Sequence, residues 1–348
     1  MNESCERSPL TLVAVLGAVL VAVLVAELVA VLSRCSMVRA VRSLVVPGLA
    51  AIASRYDAIL LDQFGVLHDG KNAIDGAVAC YDALAAAGKK LVVLSNTSRR
   101  RATALKKLPS LGFAADALAG FVCSGEEAYA HMAEQRAGQR FCWWSWEDDY
   151  LGLQNADYCD GLGLTLAAPE EADFVLCQGS QRWRAGDEDV GVDLIKSGST
   201  AGAVDDALRR CAARGLEMIC ANPDYSVVLP DGSTGYMPGN IARRYEELGG
   251  AVTYYGKPHP PAFAACRRLL GDGVPPERVL HVGDSMAHDV AGANRAGIDS
   301  LFIAAGIHAA ELGLDDGDNN AQLDDARLAA LFVAYGAEPT HVAARFEW

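Results

Sequence analysis

The sequence lacks a metal–thiolate framework. Its ten cysteines are scattered, with no C-x-x-C pair and no cysteine–histidine cluster at zinc spacing. The same scatter argues against a disulfide scaffold, and apolar settings such as those of Cys80, Cys177 and Cys220 point to reduced, buried thiols in an intracellular compartment. No stretch repeats itself at a period of about 20–50 residues, which argues against a solenoid. Positive charge is in deficit. The formal net charge is -14 and the pI is near 4.9, which argues against a general nucleic-acid binder. One basic run, from Lys89 through Arg99, Arg100 and Arg101 to Lys107, reads as a solvated helix face, with phosphate attraction as the alternative. What is present is a globular balance, 51% hydrophobic and 21% charged, over 348 residues, enough for two folded units.

The N-terminus also lacks the basic segment that opens a cleaved signal peptide, since its charged residues are Glu3, Glu6 and Arg7. The segment Leu10 to Ser33 is apolar for long enough to span a bilayer and is interrupted only by Glu27. Arg34, Arg39 and Arg42 come next and would hold the downstream chain on the cytoplasmic side. Three readings stand: a single-pass membrane anchor, an organelle-targeting leader, or a start at Met37. The catalytic part is then expected in the cytoplasm or an organelle matrix. Residues 1–43 are set aside from the fold as a hydrophobic extension.

From residue 44 onward, strands and helices alternate. "DAILLD" reads as a strand, Asp75–Gly88 as a helix closed by Gly88, and "KLVVLSN" as a parallel strand buried on both faces. A helix follows from Ser98, then a short strand near Phe121 and a helix with Ser124 as its N-cap. From about Arg140 aromatics, acids and glycines crowd together without a helical period, and Phe141 to Trp146 reads as hydrophobic packing. "ADFVLCQG", Val204–Gly215, "LEMICANPD" and Pro238–Leu248 then make a second strand–helix set. "VTYYGK", Pro261–Leu270, "RVLHVGD", a helix from about Ala287 and "SLFIAAG" return to the first texture. This pattern predicts an α/β fold with a doubly wound parallel sheet. The core would comprise residues 44–138 and 255–348, with an α/β cap inserted at 139–254.

Four polar groups fall where core strands end: Asp62, Ser95 with Asn96, Lys257, and Asp284 with Asp289. Open α/β sheets bind ligands beyond the carboxyl ends of their strands, so these groups are expected to converge. Carboxylates held close repel unless a proton or cation lies between them. Mg²⁺ suits such a set because it takes oxygen ligands and pairs with phosphate. An aspartate can attack phosphorus, while a lysine and hydroxyl or amide donors stabilise the transferring group. Taken singly, each motif reads more readily as a turn or helix cap, and their order and strand-end placement together reverse that.

In order and placement, these residues resemble the haloacid dehalogenase-like hydrolase superfamily. "DQFGVL" resembles its first motif, "LSNTS" its second, "GKPHP" its third and "VGDSMAHD" its fourth. The inserted segment with "ANPD" is similar to the capped class IIA branch, and "DQFGVLHDG" to a poorly characterised subgroup of it. The resemblance implies a Rossmann-like core, a small phosphorylated metabolite as substrate, Mg²⁺ as cofactor and an aspartyl-phosphate on Asp62. It implies Asp62, the Phe64 carbonyl and Asp284 as metal ligands, with Asp289 ordering a metal-bound water or Lys257. Ser95 and Asn96 would hold the phosphoryl group, Lys257 would pair with Asp62, and Asn222 and Asp224 of the cap would face the substrate. Dimers through the cap occur among similar proteins.

The departure is Phe64, where family phosphatases usually carry an aspartate that protonates the leaving group. Its absence removes a general acid/base worth about 10²–10⁴-fold. His68 and Asp69 stand nearby, as compensating groups or as loop stabilisers. Two functions are compatible with this set: an atypical phosphatase suited to a good leaving group, or a non-catalytic binding protein that keeps the pocket.

Overall fold

The computed structural model describes residues 41–147, 158–229, 233–314 and 323–348. The apolar run Leu10–Ser33 lies outside these residues. Among the described residues, no helix is long and apolar enough to cross a membrane.

Three parallel strands come first in the chain: β1 (Ala58–Leu61), β2 (Lys90–Ser95) and β3 (Leu118–Cys123). Their residues alternate between two apolar layers. Ile59, Leu61, Leu91 and Val93 pack with Cys80, Tyr81 and Leu84 of the helix Ala77–Ala86 on one face. Ala58, Leu60, Val92 and Leu94 pack with Phe263 and Cys266 of the helix Pro260–Leu270 on the other. Burial on both faces is why these strands read as unbroken Leu/Val runs. Each fully buried Val, Leu, Ile or Phe among them contributes about 1.5–3 kcal/mol.

The chain then leaves for a second sheet. This contains β4 (Arg140–Ser145), β5 (Thr165–Leu166), β6 (Phe174–Cys177), β7 (Arg182–Ala185), β8 (Glu188–Gly191) and β9 (Glu217–Cys220). A hairpin of β10 (Ser226–Val228) and β11 (Thr234–Tyr236) comes after it, and β12 (Ala251–Tyr254) closes the second sheet. The order there is β12-β9-β6-β4-β7-β8, with β5 beside β4. The aromatic stretch at Arg140–Ser145 is thus a central strand. Its alternation sends Cys142 and Trp144 into one layer and Phe141 and Trp143 into the other.

The chain returns with β13 (Val279–Gly283), β14 (Asp299–Ile303) and β15 (His341–Ala343). The core sheet runs β15-β14-β13-β1-β2-β3, and every pairing in it is parallel. The fold is therefore a doubly wound parallel core interrupted by an α/β cap. The strand order reverses between β1 and β13, the switch point at which such sheets open a crevice.

Four local expectations differ. "VTYYGK", read with the core, supplies β12 at the edge of the second sheet, so Lys257 comes after a strand of that sheet and not of the core. Ser124 is the first residue of its helix rather than the N-cap, and its hydroxyl donates to the Thr97 carbonyl at 3.2 Å. The helix expected from Ser98 starts at Arg101, whose backbone N–H is taken by Glu126 at 2.9 Å. The basic run is not one solvated face. Lys89 donates to the Tyr56 carbonyl at 2.7 Å, and Lys107 donates to the Gly70 carbonyl. Arg100 pairs with Glu126 at 2.9 Å and lies 3.3 Å above the Tyr129 ring.

Candidate active site

β1 and β13 pair in register, Leu61 opposite Val282, so the residues that come after each strand emerge side by side. Asp62 is fixed there by its backbone N–H, which donates to the Val282 carbonyl at 2.9 Å. Asp284 comes directly after β13 and accepts the Ile307 N–H at 2.8 Å. Asp289 sits in a short π-helix, Met286–Val290, that turns its carboxylate back toward the strand ends. It accepts the Ser285 N–H at 3.0 Å. Oxygens of Asp62, Asp284 and Asp289 all lie within 4.8 Å of one another, and all three side chains are buried.

Lys257 arrives from the loop that leaves β12. Its ammonium lies 2.6 Å from Asp62 and 2.7 Å from Asp289, and only 2% of the side chain is exposed. Asn96, one residue beyond β2, holds the lysine's backbone at two points. Its Oδ1 accepts the Lys257 N–H at 2.7 Å, and its Nδ2 donates to the Lys257 carbonyl at 2.9 Å. The bond from Lys257 to Pro258 is cis. Gly65 stands against the same cluster at φ +78°, and a methyl group there would overlap the Asp284 carboxylate.

One ammonium faces three carboxylates. Burial drives Asp62 up to about 7, with repulsion from Asp289 added and Lys257 opposing. Asp284 is raised well above the usual range by burial, Asp62 and Asp289. Asp289 alone is held low: burial would raise it, but Lys257 and His281 outweigh that. Burial likewise works against the charge on Lys257, and the two aspartates more than restore it. Uncompensated negative charge on an all-oxygen donor set fits a hard divalent cation such as Mg²⁺. Among the described residues this is the one cluster of that kind.

The structure brings Asp62, Lys257, Asp284 and Asp289 together and gives the remaining candidates distinct positions. Ser95, buried at the end of β2, accepts the Thr97 N–H at 3.2 Å through its hydroxyl. Asn96 was expected to hold a phosphoryl group, yet its side-chain amide is committed to Lys257 and to Asp224, which it reaches at 2.7 Å. Asn222 is buried beside Asp224 in the cap. Its Oδ1 accepts the Asp224 N–H at 3.1 Å and shapes the loop that presents Asp224. Phe64, in the turn after Asp62, sets its ring edge-on to His68 at 4.8 Å. Burial, with Lys107 and Arg99 nearby, lowers His68 to about 4. Asp69 is exposed and accepts the Lys71 and Asn72 N–H groups at 2.7 Å each, a loop-stabilising arrangement.

His281 was missed. It is fully buried in β13, with Nε2 at 2.8 Å from Asp289 and Nδ1 at 3.2 Å from the Leu60 carbonyl. The available signal was a lone imidazole inside the apolar run "RVLHVG", since a buried polar group needs a partner.

Residues 59–159 match a family model described as haloacid dehalogenase-like hydrolase, and residues 254–329 match one described as HAD-hydrolase-like. Glycerol-3-phosphate phosphatase of Gallus gallus is 42% identical over 76 residues, which is 22% of this chain and 24% of that protein. Chronophin of Bos taurus is 25% identical over 301 residues, 80% of this chain and 90% of that protein. A crystal structure of a haloacid dehalogenase-like hydrolase from Brucella suis 1330 superposes with TM-score 0.67 at 28% identity, covering 86% of this chain and 99% of that one.

Proposed function

We propose, from the premise that this chain belongs to the haloacid dehalogenase-like hydrolase family, that it is a Mg²⁺-dependent phosphatase of a small phosphorylated metabolite, of the capped class IIA kind. The observation that carries this reading is Lys257 bridging Asp62 and Asp289 inside the three-carboxylate cluster. Asp62 is the nucleophile: one oxygen is held by Lys257, and the carboxylate attacks phosphorus to form an aspartyl-phosphate. Asp62, Asp284, Asp289 and the Phe64 carbonyl would hold the cation, which supplies charge neutralisation at the phosphoryl oxygens. Lys257 adds a second positive charge there, and the Ser95 hydroxyl serves as a donor to the phosphoryl group. Asn96 acts through Lys257, fixing the backbone from which the ammonium extends.

Release of phosphate from 4-nitrophenyl phosphate in Mg²⁺ tests the reading. Asp62→Asn, or chelation of the metal, is expected to lower kcat/KM by at least about a thousand-fold. Unchanged turnover in a folded Asp62→Asn variant would rule out the assigned nucleophile. A second reading, a non-catalytic phosphometabolite-binding protein, draws on Phe64. Tight calorimetric binding of phosphorylated ligands without any turnover in Mg²⁺ would favour it.

A further inference from the structure

We propose that this site is built for phosphoryl donors whose leaving group departs as a stable anion without receiving a proton: acyl, enol and aryl phosphates rather than alkyl phosphate esters. The inference rests on the phosphatase reading and narrows its substrate class.

When the Asp62 oxygen bonds to phosphorus, the bond from phosphorus to the leaving oxygen breaks, and that oxygen keeps the electron pair. A carboxylate or phenolate tolerates the charge, since the parent acids ionise near about 4 and about 10. An alkoxide resembles hydroxide, whose parent acid ionises near about 16, and needs a proton as it leaves. In the second half-reaction water attacks the aspartyl-phosphate. Asp62 is restored as carboxylate, and both protons of the water finish on the phosphate as H₂PO₄⁻. Neither half-reaction gives the leaving group a proton.

The turn after Asp62 holds no group able to supply one. Phe64 has no acidic proton, and its ring is wedged between His68 and Gly70, where a methyl group would come within 2.9 Å of it. The backbone N–H of Gly70 donates to His68 Nδ1 at 3.1 Å, and a donor can meet only a bare nitrogen. That nitrogen of His68 is thereby engaged by the turn's own backbone. Asp69 is an acceptor for Lys71 and Asn72, turned to solvent. Lys257 is held between two carboxylates. His288, in the π-helix of the core, has both ring nitrogens engaged, Nε2 at 3.3 Å from the Pro223 carbonyl of the cap and Nδ1 at 3.0 Å from Ser285 Oγ and 3.6 Å from Asp224. What the turn does hold is positive charge. The Lys107 ammonium donates to the Gly70 carbonyl. A fixed ammonium beside the turn stabilises a departing anion.

The experiment is kcat/KM for substituted phenyl phosphates of graded phenol acidity, with acetyl phosphate and glycerol phosphate at the extremes, in wild type and Phe64→Asp. For wild type the rate should climb steeply with leaving-group acidity. The gap from alkyl to 4-nitrophenyl phosphate should be about 10²–10⁴-fold or more, the usual worth of a general acid. Phe64→Asp should compress that gap by raising the alkyl end. Turnover with a flat dependence overturns the inference and leaves the phosphatase reading standing. So does a folded Phe64→Asp whose steep dependence is unchanged, because the missing acid would then not lie at this position. If Phe64→Asp fails to fold, the wild-type series decides alone: steep supports, flat overturns. No turnover of any compound by folded wild type in Mg²⁺ brings down the phosphatase reading and this inference with it.

Discussion

His281 shows how a residue remote from substrate can set the chemistry. Asp289 is bonded by Lys257 on the reactive side and by His281 from inside the sheet, both at the same oxygen. Without the imidazole, the carboxylate keeps its charge but loses a charge-assisted hydrogen bond worth about 1.5–3 kcal/mol. His281→Phe is expected to weaken Mg²⁺ binding by about 10–100-fold, as loss of an outer partner of a metal-site carboxylate does. His281→Gln, which can still present an N–H toward Asp289, should recover part of that loss. Calorimetric titration with Mg²⁺ in the absence of substrate measures it, and equal affinity in wild type and His281→Phe would remove the assigned role. Asp62 and Asp284 were legible in the sequence because a charged residue at the end of an apolar strand stands out, and Lys257 and Asp289 through the motifs "GKPHP" and "VGDSMAHD". The duties of Asn96 and His281 were not. A carboxamide reads the same whether it binds a phosphoryl group or clamps a neighbouring loop, and only the fold brings Asn96 against Lys257.

The π-helix Met286–Val290 and the turn at Gly65 let two strand ends converge on one point. A regular helix from about Ala287 is what the sequence suggests, and nothing in "DSMAHDV" marks the wider turn that returns Asp289 to the cluster. The strand β4 was obscured for a different reason. Both of its faces are apolar, so its aromatics show neither a two-residue nor a helical period. Gly65 offers the sharper test. A left-handed φ costs a substituted residue about 1–2 kcal/mol, and at Gly65 the added methyl would also strike Asp284. Gly88 has φ +71° with nothing within 4 Å of the added methyl, so Gly88→Ala carries the backbone cost alone. Thermal melts should show both variants destabilised by about 1 kcal/mol or more. Phosphate-release assays should show Gly65→Ala losing activity while Gly88→Ala keeps it. Equal activity in the two would mean that the Gly65 contact does not hold Asp284 in place.

At the scale of the molecule, the cap is joined to the core by polar contacts on the loops that carry the site. Trp146 donates through Nε1 to Ser98 at 2.9 Å, Tyr158 donates to the Gly125 carbonyl at 2.8 Å, and Asp224 meets Asn96. That a second α/β set interrupts the core was legible in the change of texture near Arg140, whereas its end was not, since "VTYYGK", read with the core, supplies β12 of the second sheet. The seating of that set on the core was not legible either, because it depends on single hydrogen bonds between residues 33 to 128 positions apart. The Asn96–Asp224 bond is the informative one, since Asn96 also clamps the backbone of Lys257. If cap position and lysine position are linked through Asn96, the two residues must be energetically coupled. Asn96→Ala, Asp224→Ala and the double variant form a cycle whose interaction energy in chemical denaturation should fall within about 0.5–3 kcal/mol. In steady-state kinetics, Asp224→Ala should lower kcat/KM by about tenfold, the effect of one hydrogen bond of about 1.4 kcal/mol. Asp224→Asn, which keeps an acceptor oxygen, should fall between that variant and wild type. Strict additivity in the cycle would mean that the cap rests beside the lysine loop without controlling it.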